Sequence, residues 1–298
     1  MDTLPIMITE EFVRACFAPR PADSHKGTYG RVLTVCGSYG MAGAAMLCTR
    51  GALRAGAGLV TAAVPQSVYP LIAAAVPEAV FAPMPQTEDG QLSEEAEEPL
   101  VTRAAQADAV VMGCGLGDSP AIGPLVTAVW RACRGTLVLD ADGINAIEPH
   151  MLIEETVSAS RILTPHPGEM ARLLDISVGE VQRYREELAR RFADDYGVTL
   201  VLKGHGTLIA APGRPLLCNP TGNPGMATGG SGDVLAGIIG ALAAQGLDPF
   251  YAAACGVYLH GAAGDAAAAR LSQHAMLPTD LLEELGGRFL QLEKPEAL

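Results

Sequence analysis

Six small residues, TGGSGD at Thr228–Asp233, stand directly before the apolar run VLAGIIGALAA. The chemistry they offer is anion binding. Glycines leave backbone N–H groups bare, and the start of a helix adds roughly half a positive charge. Gly229, Gly230, Ser231 and Gly232 therefore form a candidate phosphate loop. It is not a Walker A loop, because no Lys-Ser or Lys-Thr follows the glycines. Asp233 ends it instead, and a carboxylate beside a bound phosphate can accept the proton of an attacking hydroxyl. The plainer alternative is a glycine-rich turn with Asp233 in the first turn of a helix.

Five more stretches carry polar or bare residues at the ends of strand-like runs. KGHGT (Lys203, Gly204, His205, Gly206, Thr207) follows TLVL and reads either as a seat for a nucleotide's phosphate or adenosine part, or as the turn of a hairpin joining VTLVL to TLIAA. Both readings can hold together. In TPHPGE, two prolines fix the backbone so that His166 and Glu169 point out of a loop. Glu169 either holds a water or a magnesium ion on a phosphate, or caps the helix that begins EMARLL. LDADGIN places Asp140 and Asp142 at a strand end, to position a ligand or to cap a short helix. GCGLG, containing Gly115, is an incomplete dinucleotide fingerprint lying mid-chain, so hydride transfer has little support. Its glycines, like those of GSYGMAGAA with Ala44 and Ala45, let a ligand come close.

The elements that must position these residues are short β-branched runs separated by Ala/Leu-rich stretches. RVLTVCG, GLVTAAV, AVVMG, TLVLD, RILTP and VTLVLKG are apolar throughout, which predicts a mostly parallel sheet covered on both faces, an α/β/α architecture. Helices are predicted near 231–244, 249–269 and 278–291, giving the end of the chain a helical layer. No composition break marks a linker, so residues 1–298 are expected to form one domain.

A net charge of −13 and a pI near 4.8 argue against nucleic acid or an anionic membrane as partner. An anionic ligand must then be held by local backbone and a few cations. The seven cysteines are never closer than twelve positions, so no CxxC pair exists, and a reducing cytosol suits them. The N-terminus lacks a basic-then-apolar segment, and the long uncharged runs are broken by prolines or too short to span a bilayer. A soluble, cytoplasmic protein is expected.

Taken in order, HKGTYGRVLTVCGSYGMAGAA, LDADGIN, ILTPHPGE, VLKGHGT, NPTGNPGMATGGSGD and YLHGAAGD resemble the ADP- or ATP-dependent NAD(P)H-hydrate dehydratases, a branch of the ribokinase-like fold. That resemblance implies repair of a damaged cofactor: the S form of NADH hydrate or NADPH hydrate is dehydrated to NADH or NADPH, with ADP converted to AMP and phosphate, or with ATP in eukaryotic members. It further implies that Ala44, Gly115, His166 and Asp233 contact the hydrate, and that Lys203, Gly204, His205, Gly206, Thr207 and Gly232 lie at the nucleotide. Mg2+ accompanies the nucleotide, and a homo-oligomer is implied, a tetramer being common among relatives. Many bacterial relatives carry an N-terminal epimerase domain; here the pattern begins by His25, so none is expected. The nearest rival is a small-molecule kinase of the same superfold acting on a sugar, thiazole or pyrimidine alcohol. A non-catalytic nucleotide sensor is a third reading, against which the carboxylate of Asp233 stands.

Overall fold

Apolar strand-like runs alternate with Ala-rich ones, and the computed structural model, which describes residues 4–153 and 160–294, folds them into one mixed sheet between helical layers. The strands are β1 (Ile6–Met7), β2 (Arg31–Val35), β3 (Leu59–Pro65), β4 (Val80–Met84), β5 (Ala109–Met112), β6 (Thr136–Leu139), β7 (Arg161–Leu163), β8 (Thr199–Leu202), β9 (Leu208–Ala210) and β10 (Leu217–Cys218). Their order is β1-β10-β9-β8-β7-β6-β5-β2-β3-β4. Pairing is parallel except at β8–β9 and β9–β10. All six predicted strands are present. The sequence reading passed over β4, whose Pro83 interrupts the β pattern; as the last strand of the sheet it can accommodate a residue without an N–H.

The helices are α1 (Glu10–Ala15), α2 (Ala42–Arg54), α3 (Tyr69–Ala75), α4 (Glu97–Ala104), α5 (Ile122–Ala132), α6 (Asp142–Asn145), α7 (Pro167–Leu174), α8 (Val178–Arg183), α9 (Arg185–Tyr196), α10 (Ser231–Ala244), α11 (Pro249–Leu271) and α12 (Pro278–Glu293). The last three match the predicted helical layer. Successive strand residues point to opposite faces, and the two cores divide accordingly. Val111 and Val138 join α2, α10, α11 and α12 on one face. Val110, Met112, Leu137 and Leu139 join α4, α5, α7 and α9 on the other. These are the three layers of the expected α/β/α fold.

Two features place the functional residues. The carboxyl ends of β2, β5, β6, β7 and β8 all lie along one edge, because these strands run parallel. Against that edge α10 is held by backbone contact with α2. A Cβ on Gly51 would lie 2.6 Å from the Val234 carbonyl oxygen, and one on Gly237 would lie 2.0 Å from that of Cys48. Only glycine permits such an approach.

Candidate active site

The glycine loop delivers the N-terminus of α10 to the strand edge. Gly230, at φ 97° in the left-handed region, is the residue before the helix, and no side chain caps the first turn. The N–H groups that open a helix have no partner inside it, so an uncapped start is a seat for an anion. Two further polar groups wait beside it. Ser231 and His260 are buried, and Ser231 Oγ and His260 Nε2 have no hydrogen-bond partner among the described residues. Burial pushes His260 down to about 4, so its imidazole is neutral at physiological pH.

Asp233 stands in this first turn, partly buried, and is raised from 3.8 to about 6. Burial is the largest cause, with the charges of Asp140 and Cys36 adding to it; a thiol hydrogen bond from Cys114 and the charge of Lys203 pull the other way. A carboxylate so adjusted is a better proton acceptor near neutrality than an ordinary one.

Beneath the loop lies a buried polar cluster. Asp140, only 2% exposed, follows β6. Its Oδ1 accepts from Lys203 Nζ at 2.6 Å and from Thr164 Oγ1 at 2.7 Å, while Oδ2 faces the Cys114 thiol at 3.8 Å. Lys203 also reaches towards Glu169, 3.9 Å away. Burial works against its ammonium, but the charges of Asp140 and Glu169 outweigh it and keep Lys203 protonated. A Cβ on Gly232 would lie 3.5 Å from both Asp140 Oδ2 and Lys203 Nζ, so the loop rests directly on this ion pair.

His166 and Glu169 form a reciprocal cap on α7. Nδ1 of His166 accepts from the N–H groups of Gly168 and Glu169, and Glu169 Oε2 accepts from the His166 N–H at 2.7 Å. The capping alternative for Glu169 is thus realised, and burial raises its pKa. The imidazole itself is 56% exposed and open to a ligand. Ala44 and Gly115 lie against each other: a Cβ on Gly115 would fall 2.8 Å from that of Ala44. Ser38 Oγ donates to the Gly115 carbonyl and fixes the turn.

KGHGT is the turn of the β8–β9 hairpin, as one of its two readings had it. Gly204 and Gly206 have positive φ, Thr207 Oγ1 donates back to the Gly204 carbonyl, and His205 is exposed. Arg185 of α9 donates to the carbonyls of Leu202, Lys203 and Gly206 and braces the turn. No local pattern marks this arginine, which lies in a charge-rich helix like any solvated one. Asp142, the other aspartate of LDADGIN, accepts from the Gly117 N–H.

Three cysteines that look unrelated in sequence converge here. Cys36, Cys48 and Cys114 are buried with their sulfurs within 4.8 Å of one another. Thiol hydrogen bonds from Cys114 and Cys48 outweigh burial and lower Cys36 to about 5. Magnesium is a different matter, since a hard dication takes several oxygen ligands. Asp140 is paired with Lys203, Glu169 is engaged in the α7 cap, and the group shared by Asp140 and Asp233 is a thiol. Among the described residues this donor set does not fit a magnesium ion held directly by the protein: Glu169 Oε2 accepts from the His166 N–H, and its Oε1 lies 3.4 Å from His166 Nε2.

The family model for NAD(P)H-hydrate dehydratase matches residues 32–286. The chain belongs to the NAD(P)H-hydrate dehydratase family. Within it, the chain is similar to the ADP-dependent (S)-NAD(P)H-hydrate dehydratases of Neisseria meningitidis, 41% identical over 84% of this chain and 81% of that one, and of Bacillus subtilis, 37% identical over 94% and 98%. It is 47% identical, over 97% of its length, to a bifunctional NAD(P)H-hydrate repair enzyme of Moorella thermoacetica, of which it covers 54%. The chain thus spans about half the length of the bifunctional relatives it matches. A crystal structure of the Bacillus subtilis ADP/ATP-dependent dehydratase, co-crystallised with ATP and Mg2+, superposes with a TM-score of 0.84 at 34% identity, over 98% of this chain and all of that one. A ribokinase-like superfamily protein from Enterococcus faecalis gives 0.83 at 28%, covering 97% of each chain. The dehydratase family and the ribokinase-like fold read from the ordered motifs are therefore the ones found. No helix among the described residues is long and apolar enough to cross a membrane.

Proposed function

We propose that the protein dehydrates the S form of NADH hydrate and NADPH hydrate, converting ADP, or ATP as an alternative donor, in the process. The observation that carries this is Asp233 at an uncapped helix start, raised to about 6 and seated among backbone N–H groups. The hydrate's hydroxyl is a poor leaving group and must first be phosphorylated. Its oxygen attacks the terminal phosphorus of the nucleotide while Asp233 accepts the hydroxyl proton, and the bond to the departing AMP (or ADP) breaks. The N–H groups of Gly229–Gly232 face the charge that develops on the phosphoryl oxygens. Phosphate then leaves with the electrons of the C–O bond as the ring nitrogen's lone pair forms C=N. Loss of a proton from the adjacent ring carbon restores the dihydronicotinamide.

In this reading the hydrate lies along Ala44, Gly115, His166 and Asp233, and the nucleotide along Lys203–Thr207 and Gly232. Contacts at His205 and Gly206 would be made chiefly by backbone, since His205 is exposed on the hairpin turn. Magnesium would enter on the nucleotide's phosphates. The protein would work in the cytoplasm as a homo-oligomer of one-domain subunits, a state that light scattering reads directly. The deciding experiment mixes the protein with hydrated NADH and either ADP or ATP and follows the return of dihydronicotinamide absorbance. Return with release of free phosphate supports the dehydratase; a stable phosphorylated alcohol instead would make the protein a kinase, and nucleotide binding without turnover a sensor.

A further inference from the structure

Asp140 is too buried to touch a substrate, yet everything around it is arranged to hold its charge in one place. Its N–H donates to the Met112 carbonyl, and a Cβ on Gly113 would lie 1.8 Å from its own carbonyl oxygen, so β5 presses on its backbone. The next residue, Ala141, has φ 47° and ψ −119°, a conformation that strains a non-glycine residue and persists only where the surroundings enforce it. The side chain is divided in use. Oδ1 is engaged by Lys203 and Thr164, whereas among the described residues Oδ2 has only the weak Cys114 thiol donor. An oxygen of Asp140, an oxygen of Asp233 and the Cys114 sulfur all lie within 4.8 Å of one another.

We propose that Asp140 is a positioning residue for the dehydratase reaction: it anchors Lys203 under Gly232 and, through the oxygen left facing Cys114, makes Asp233 a stronger proton acceptor. The inference rests on the assignment of Asp233 as the base. Two carboxylates at this separation disfavour joint ionisation, and a cation beside one of them limits the effect. Asp140 raises the proton affinity of Asp233, and Lys203 holds the increase in check. The other groups facing Asp233 are Cys114 after β5, Cys36 after β2 and Cys48 on α2; His260 of α11 lies against Ser231 in the same turn. His260 is neutral and Cys114 is held as a thiol, whereas Cys36, lowered to about 5, adds a raising charge of its own that stays in place in both variants below.

The pair of opposite charges gives a test by sign. Asp140→Asn removes the raising charge, so the titration of Asp233 moves down by about one pH unit. Lys203→Met removes the lowering charge and moves it up. The titration is read directly from the 13C carboxyl resonance of aspartate-labelled protein, with Asp233 identified by the signal lost in Asp233→Asn. The pH–rate profile with hydrated NADH and ADP is the second readout, and its acid limb should move in step. A merely structural Asp140 would lower the thermal midpoint and leave the Asp233 titration where it is. An unmoved titration in Asp140→Asn, or movement in the same direction in both variants, overturns the proposal. If Asp140→Asn does not fold, the double variant Asp140→Asn/Lys203→Met, which leaves no unpaired buried charge, is compared with Lys203→Met: a lower Asp233 titration in the double variant supports the proposal and an equal one sinks it. Failure of the dehydratase assignment appears separately, as absence of turnover by the wild-type protein while the resonance still titrates.

Discussion

His166 and Glu169 cap the same helix from both ends of one turn: each side chain accepts the other residue's backbone N–H. A residue proposed to hold the substrate is therefore also a structural one, and a simple deletion confuses the two roles. His166→Ala should lower stability by about 1 kcal/mol, the usual cost of a lost N-cap, and should weaken hydrate binding more than ADP binding. His166→Asn separates them, because asparagine caps well but lacks the exposed imidazole. Its thermal midpoint should return towards wild type while hydrate affinity stays low. Recovery of both in the Asn variant would remove the imidazole from the substrate site.

Asp233→Asn should cost roughly 10²–10⁴-fold in turnover while nucleotide affinity is kept. The same change should stabilise the protein at neutral pH. A folded-state value near 6 against an ordinary 3.8 means that the native chain binds more protons between these values, so ionised Asp233 weighs against folding above about pH 6. The gain is on the order of 1–3 kcal/mol and vanishes below about pH 4. Thermal midpoints of the two proteins at pH 7.5 and at low pH check both halves; an Asn variant no more stable than wild type at pH 7.5 contradicts the buried-carboxylate account.

His260 has the opposite sign. Its value, lowered from 6.5 to about 4, means that folding holds the imidazole neutral, and stability is lost as pH falls through that window. His260→Gln should flatten the acid side of the stability curve between about pH 6.5 and 4, by up to about 3 kcal/mol at its lower end. Denaturant midpoints across that range measure it. An acid limb as steep as wild type's would mean that another group drives acid unfolding.

Gly232 has room for one carbon and no more. A Cβ there makes ordinary contact with Asp140 Oδ2 and Lys203 Nζ at 3.5 Å, so Gly232→Ala should fold with its ion pair intact. Gly232→Val should press branched carbons against that pair and against an incoming phosphate, weakening ADP binding by tenfold or more, about 1.4 kcal/mol. Calorimetric titration with ADP compares the two, and equal affinity for wild type and Val would place the phosphate elsewhere.

How much of this could be read beforehand follows from the range of each signal. The sheet, its parallel core and the α10–α12 layer were legible because burial writes itself into short windows of apolar residues. TGGSGD and TPHPGE were legible because bare backbone and paired prolines have few other uses. Lys203 was found for its place after a strand, but its pairing with Asp140, 63 positions away, has no local mark. The same holds for Arg185 behind the hairpin, and for His260, a histidine in a helix that reads as plain core. The cysteine trio shows the limit most clearly, since spacing along the chain excludes a CxxC pair but says nothing about sulfurs brought together by β2, α2 and β5.

The glycine seam between α2 and α10 has a dynamic consequence. Gly51 and Gly237 let backbone lie on backbone, so the two helices should open together rather than one at a time. Amide hydrogens along Val234–Ala244 and in the middle of α2 should therefore exchange with solvent only when the whole molecule opens, whereas those of the His205 turn should exchange by local fluctuation. The two sides of the proposed nucleotide site then differ in kind. The wall bearing Asp233 should then open only with the whole molecule, and under the proposed reaction the give needed for product release would come from the hairpin.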